Sequence, residues 1–214
     1  MTKTIVVTGA TGVLGNLVAK TFAERGHNIA LLDKDQTKLD SLVRDLNLPN
    51  ERLYAQTIDL LNDTAVHGSA VHALIHLVGG WTGGRTISES SKDELESMLN
   101  QHVWTTFHLL QAFIPQIAKS NWGRVIIVSK PETVHPSAKT ALYTAAKSAQ
   151  ESLVLTLAEE YKENGLTANV IHVKSIDIKN EDRGTSPAEI VSAMTYLFSD
   201  EAGKVNGARI PLYG

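Results

Sequence analysis

The sequence predicts a single α/β domain: a doubly wound, mostly parallel sheet of about seven strands with helices on both faces. Three observations lead there. Short β-branched runs alternate with amphipathic helical stretches along the whole chain. A glycine-rich turn joins the first strand pattern to the first helix pattern. The 214 residues are 43% apolar, enough to cover both faces of one sheet, and no repeat, low-complexity tract or linker divides them. Residues 1–214 are therefore expected to form one domain.

Ile5-Val6-Val7 is a β-branched run ending in Thr8-Gly9. Leu14, Leu17, Val18, Thr21 and Phe22 then recur at helical spacing until Gly26 stops the helix. A second strand is expected over 28–32, ending at Asp33, and Leu39, Leu42, Val43 and Leu46 mark the next helix. The third and fourth strands fall at 53–58 and 73–78. Between them, residues 61–71 leave room for little more than two helical turns, and Gly68-Ser69 weakens even that. One crossover helix is thus expected to be abbreviated. A long helix over 98–118, a strand over 123–129, a second long helix over 141–163 and a strand over 167–173 follow. A helix over 187–198 and a closing strand over 208–212 complete the alternation.

Composition narrows the function. The balance of 20 basic to 23 acidic residues gives −3, without the basic excess of a polyanion-binding surface, so no nucleic-acid partner is expected. The absence of cysteine removes disulfides, thiolate nucleophiles and thiolate zinc sites, and suits a reducing compartment. No apolar run approaches the roughly 18 residues of a membrane span. Met1-Thr2-Lys3-Thr4 runs straight into a strand with no room for a signal peptide, so a cytoplasmic location without membrane association is expected. His72 and His76 have the spacing of a helical zinc pair, but His76 falls within an apolar strand and no third ligand is evident, so no metal is expected.

The segment Thr8-Gly9-Ala10-Thr11-Gly12-Val13-Leu14-Gly15 carries the chemistry of the amino-terminal half. Glycine permits positive φ in the turn and lets backbone N–H groups approach a pyrophosphate at the helix N-terminus. The last glycine lets the helix pack on the sheet. Asp33 ends the second strand 18 residues after Gly15. In a Rossmann unit such an acid accepts hydrogen bonds from the adenosine ribose and repels a 2′-phosphate. NAD is therefore expected; NADP is not excluded, because the adjacent Lys34 offers a 2′-phosphate a counter-charge.

That turn, with Tyr143-Thr144-Ala145-Ala146-Lys147 and Val205-Asn206-Gly207-Ala208-Arg209-Ile210-Pro211, resembles the short-chain dehydrogenase/reductase family over essentially the whole chain. The spacing Gly9-x-x-Gly12-x-x-Gly15 is that of the family's extended and atypical branches, while the length fits a short member. The resemblance implies hydride transfer between NAD(H) and a small carbonyl or alcohol. Tyr143 would be the acid–base, its pKa lowered by Lys147 on the same helix face together with a positively charged nicotinamide, and Lys147 would hold the nicotinamide ribose. Gly9, Thr11, Gly12, Val13, Leu14, Gly15 and Asp33 would hold the dinucleotide. Asp59 and Leu60 would flank adenine, Val78, Gly79 and Gly80 would border the adenosine ribose, and Ile176 would belong to the segment over nicotinamide.

Some positions depart from the family pattern. Its catalytic serine falls on Lys130, with Ser129 one residue earlier. A hydroxyl both donates and accepts, whereas an ammonium only donates. Ser129 serves if the loop 130–139 shifts by one residue; otherwise Lys130 acts as an electrostatic clamp. The family's helix asparagine falls on His102, whose imidazole could hold a proton-relay water. Val173-Lys174 replaces Pro-Gly, and the short, charged loop 178–186 implies an open site for a small or polar substrate. Trp81 and Arg85 lie in a glycine-rich loop over the cleft, suited to a ring and an anion. Ala141, Ala145, Ala146, Ser148 and Ala149 suit the helix-mediated homodimer or homotetramer common in the family. The departures keep two alternatives open: a dinucleotide-binding sensor or scaffold without efficient chemistry, and an epimerase that uses bound NAD transiently.

Overall fold

Ile5, Val6 and Val7 are all fully buried, as expected of a parallel strand covered on both faces. In a computed structural model that describes residues 1–63, 70–179 and 181–213, this run is the centre of β1 (Thr4–Thr8). The other strands are β2 (Asn28–Asp33), β3 (Leu53–Thr57), β4 (Ala73–His76), β5 (Gly123–Ser129), β6 (Leu166–His172) and β7 (Arg209–Pro211). They form one sheet in the order β3-β2-β1-β4-β5-β6-β7, with every neighbouring pair parallel.

Side chains alternate between two apolar layers, the two-residue period of a strand. Ile5, Val7, Ile29, Leu31, Ile75 and Ile126 pack against α1 (Val13–Glu24), α2 (Gln36–Leu46) and α6 (Pro187–Phe198) through Val18, Phe22, Leu39 and Met194. Val6, Leu32, Leu74, Val125, Ile127 and Val170 face α4 (Thr105–Ile117) and α5 (Ala141–Glu160) through Leu109, Phe113, Val154 and Leu157. Each fully buried Leu, Ile or Phe contributes roughly 1.5–3 kcal/mol, and both layers are needed.

The long helix expected over 98–118 begins earlier than its apolar period. It opens with α3 (Lys92–Leu99), where Ser91 Oγ accepts from Glu94 N–H at 3.2 Å and a Glu94 carboxylate oxygen accepts from Ser91 N–H at 2.8 Å. Residues Asn100–Trp104 then form a π-helical turn before α4, a local widening that shifts the helical register. Strand β4 stops at His76, short of the expected 78. Helix α5 ends at Glu160 and passes into a 3-10 turn, Lys162–Asn164. The abbreviated crossover expected over 61–71 falls largely on residues 64–69, outside the described residues.

The chain leaves β1 toward β2 on one side and returns to β4 on the other, so the connections diverge at the carboxyl ends of β1 and β4. An open α/β sheet has its crevice there. Among the described residues no helix is long and apolar enough to cross a membrane.

Candidate active site

The crevice holds a cleft of about 490 Å³ with the glycine turn as one wall. Gly9 has φ +65°, and a Cβ on it would meet the backbone of Leu77 and Val78 at 3.1–3.2 Å. A Cβ on Gly15 would stand 2.2 Å from the Gly9 carbonyl oxygen, so α1 starts in direct contact with the turn. No side chain caps α1, whose N-cap is Gly12. Gly12, Val13, Leu14 and Gly15 line the cleft, leaving the positive end of the helix to an anion.

Asp33 is tied to this turn. One of its carboxylate oxygens accepts from Thr11 N–H at 2.9 Å and the other from Asp35 N–H at 3.2 Å. Thr11, Asp33, Asp59 and Leu60 are not among the residues lining the cleft. Asp59 is exposed and folds onto its own turn, accepting from Leu61 N–H at 3.0 Å and Asn62 Nδ2 at 2.8 Å. The Leu61 N–H bond leads in holding its carboxyl below the usual range. Leu60 borders a separate recess, and its carbonyl bonds His108 Nδ1 at 2.9 Å.

The opposite wall brings together Ser129 from the end of β5, Tyr143 and Lys147 from α5, and His102 from the π turn. Val78, Gly79, Gly80 and Ile176 border the same space. The His102 ring stands edge-on to Tyr143, centroids 5.4 Å apart at 88°. His102 Nε2 lies 2.9 Å from the Gly80 carbonyl, which can only accept; Nε2 therefore carries the proton, leaving Nδ1 a bare, buried acceptor. A Cβ on Gly79 would lie 2.5 Å from His102 Cε1, so glycine makes room for the ring. Burial and the Lys147 charge push His102 down to about 4, keeping it neutral.

His76 is also neutral, pushed down to about 3 by burial and then by Lys147 and His102. Thr8 Oγ1 accepts from Leu77 N–H at 3.3 Å and shares a hydrogen bond of 2.7 Å with His76 Nδ1. His76 Nε2 has no hydrogen-bond partner, although it is buried at the cleft wall. His72 accepts from Thr4 N–H at 3.1 Å, so the two histidines serve separate bonds. Among the described residues no cluster of His, Asp or Glu is arranged to hold a metal.

Lys147 is buried, and its Nζ donates to Val128 O and Gln150 Oε1, each at 2.9 Å. Burial pushes its pKa down to about 8 against the raising effect of Glu151. The chain's own groups do not lower the Tyr143 pKa. Burial, aided by Glu132 and Glu151, pushes the phenol above its ordinary value. Ser129 Oγ is buried and makes no hydrogen bond of normal geometry. Lys130 Nζ pairs with Glu132 at 3.5 Å and lies 5.9 Å from the Tyr143 ring centroid. Trp81 lines the cleft half-exposed, whereas Arg85 is turned to Glu94 at 3.3 Å. Of the small residues on α5, Ala146 is buried and Ala145 exposed.

Sequence patterns missed a buried ionic group behind this wall. Glu151 lies one turn beyond Lys147, with its side chain fully buried. Its carboxylate oxygens take His172 Nε2 at 2.9 Å and Arg209 Nε at 2.7 Å. Burial would raise its pKa, but the His172 bond, the nearby Ser129 hydroxyl and Arg209 outweigh it and bring the value down to about 2. The available signal was the Tyr143–Lys147–Glu151 row, one side chain every four residues on one helix face.

Comparison with known proteins agrees with this architecture. YciK of Escherichia coli K12, an uncharacterized oxidoreductase, is 25% identical over 95% of this chain and 88% of its own length. D-beta-hydroxybutyrate dehydrogenase of Rhizobium meliloti is 24% identical over 100% of this chain and 98% of its own. A protein of Escherichia coli CFT073, solved complexed with NADPH, superposes with a TM-score of 0.86 at 25% identity, covering 98% of this chain and 95% of that one. Residues 3–185 match the model of the short chain dehydrogenase family. That span runs from β1 past the Tyr143–Lys147 helix, so the chain belongs to the short chain dehydrogenase family and is an oxidoreductase built on a Rossmann-type nucleotide-binding domain.

Proposed function

We propose that the protein interconverts a small carbonyl compound and its alcohol with a nicotinamide dinucleotide, preferring NAD(H). Tyr143 acts as the acid–base, Lys147 as its electrostatic partner, and Ser129 orients the substrate. The observation that carries this is the convergence of all three on one cleft whose other wall is the glycine turn. The cradle suits a diphosphate, because side chains at Gly9 and Gly15 would clash with the backbone that shapes the turn and α1 has no side-chain cap. A dinucleotide held there supplies the hydride.

The chain's own residues do the rest. N–H groups of the turn and of Val13 and Leu14 receive the diphosphate, and Asp33 receives the adenosine ribose and disfavours a 2′-phosphate. Asp59 and Leu60 flank adenine, while Ile176 borders the nicotinamide side. Burial keeps Tyr143 protonated at neutral pH, which suits proton donation to a carbonyl oxygen. The Ser129 hydroxyl, which lines the cleft and makes no hydrogen bond of normal geometry, has capacity for a hydrogen bond to that same oxygen. The buried Lys147 ammonium favours the phenolate left after donation.

Tyr143→Phe is expected to lower turnover of a carbonyl panel by at least about 10²-fold, with dinucleotide affinity nearly intact. Normal turnover in that variant would reject the assignment. A sensor or scaffold would bind dinucleotide and turn over no member of the panel. Greater thermal stabilisation by NADPH than by NADH would hand the pocket to Lys34 and overturn the role given to Asp33.

A further inference from the structure

The position after Lys147 on the buried side of α5 holds an amide, Gln150, which is 1% exposed. A polar side chain so deeply buried costs stability unless its donors and acceptor are matched, and here both ends are used. Gln150 Oε1 accepts from Lys147 Nζ at 2.9 Å, and Gln150 Nε2 donates to Thr106 Oγ1 at 2.8 Å. Thr106 Oγ1 in turn donates to the His102 carbonyl at 2.5 Å. The directions are mutually consistent: an ammonium can only donate, a carbonyl can only accept, and a flipped Gln150 would set two donors against each other. We infer that Gln150 is the positioning residue for Lys147, clamping its ammonium and tying it to the π-helical turn that carries His102. This rests on the role proposed above for Lys147.

The second bond that the ammonium donates, to Val128 O at 2.9 Å, ends on the strand backbone, which offers that acceptor whatever side chain occupies the helix. Gln150 is therefore the side chain through which the sequence sets the ammonium's place and charge. The titratable groups facing Lys147 are Tyr143 and Glu151 from α5, His76 from β4 and His102 from the π turn. Lys130 and Lys174 share the cleft wall. His102 Nδ1 and His76 Nε2 bond no partner, their other ring nitrogens bond Gly80 O and Thr8 Oγ1, and Glu151 is committed to His172 and Arg209, so none of these supplies the acceptor that Gln150 supplies.

The test reads Lys147 directly and without turnover. With lysine labelled in carbon-13 and nitrogen-15, the Cε–Nζ resonance of Lys147, assigned by its loss in Lys147→Met, is titrated in the full chain. The wild-type midpoint is expected at about 8. Gln150→Leu removes the acceptor and should lower the midpoint by about one to two pH units. Gln150→Glu replaces it with a near-isosteric carboxylate and should raise the midpoint by at least about one unit. Dinucleotide affinity measured against pH should shift its inflection in the same directions. If Gln150→Leu does not fold, the rise in Gln150→Glu decides. A midpoint that stays within about 0.3 units of wild type in the folded variants overturns the inference. That outcome is distinct from failure of the catalytic assignment, which Tyr143→Phe turnover decides separately.

Discussion

Replacing His102 with asparagine should flatten the acid limb of the stability curve. In the folded protein His102 titrates at about 4, against an ordinary value of 6.5, because it is buried and faces Lys147. The sign follows from the depressed value. Below pH 6.5 the unfolded chain takes up a proton that the folded chain refuses, so stability falls as pH falls through 6.5 toward 4. Each pH unit in that window costs about 1.4 kcal/mol, which reaches about 2 kcal/mol at pH 5. His76 adds a parallel loss in the wild type and in the variant, and the lowered values of His27 and His72 likewise cancel in the difference. Staying above pH 5 leaves out Glu151, whose protonation matters below 4.5. The assay is urea unfolding of wild type and His102→Asn at pH 7 and pH 5. Absolute stabilities will differ, because the ring packs on Gly79 and bonds Gly80. The informative quantity is the drop between the two pH values, expected to be about 2 kcal/mol smaller in the variant. Parallel drops would show that His102 exchanges protons freely with solvent, and the buried, neutral imidazole would have to be abandoned.

Two further perturbations probe the cleft walls. Glu151→Gln keeps the shape but removes the charge from the bonds to His172 and Arg209, and should cost about 1–3 kcal/mol in urea unfolding at pH 7. The loss is held to that range because the Arg209 side chain is 43% exposed and water takes over part of its charge. The difference from wild type should shrink below pH 4.5, where the stabilisation from the lowered carboxyl pKa is progressively lost; a difference that persists undiminished in acid would refute the ionic account. Gly15→Ala puts a methyl group 2.2 Å from the Gly9 carbonyl oxygen and forces α1 off the turn. About 1–3 kcal/mol of stability and at least about tenfold in NADH affinity should go with it, measured by fluorescence titration; unchanged affinity would dissociate the turn from diphosphate binding.

The sheet was legible because its central strands are buried on both faces, which writes them into the chain as short continuous apolar runs such as Ile5-Val6-Val7. The glycine turn and the Tyr143–Lys147 pair were legible because each depends on local spacing at an element boundary. The π turn was not, since its five residues interrupt the helical period and make 98–118 look like the whole helix. Its true start was written in Ser91 and Glu94, a capping signal placed ahead of the apolar stripe. Glu151 meets partners 21 and 58 residues away, and no local pattern pairs them. The phenol illustrates the same limit. A lysine four residues away argues for a lowered pKa, but burial set by the tertiary fold, together with Glu132 and Glu151, raises it.

The bond between Asp33 and the Thr11 amide has a consequence for anyone wishing to change which coenzyme the protein accepts. Under the proposed binding mode, exchanging Asp33 for a neutral or basic residue removes the charge that would repel an extra phosphate, and at the same stroke takes from the turn the acceptor of its Thr11 amide. A single exchange would trade selectivity for grip. Retargeting would need a second change near Thr11 that gives its amide a new acceptor.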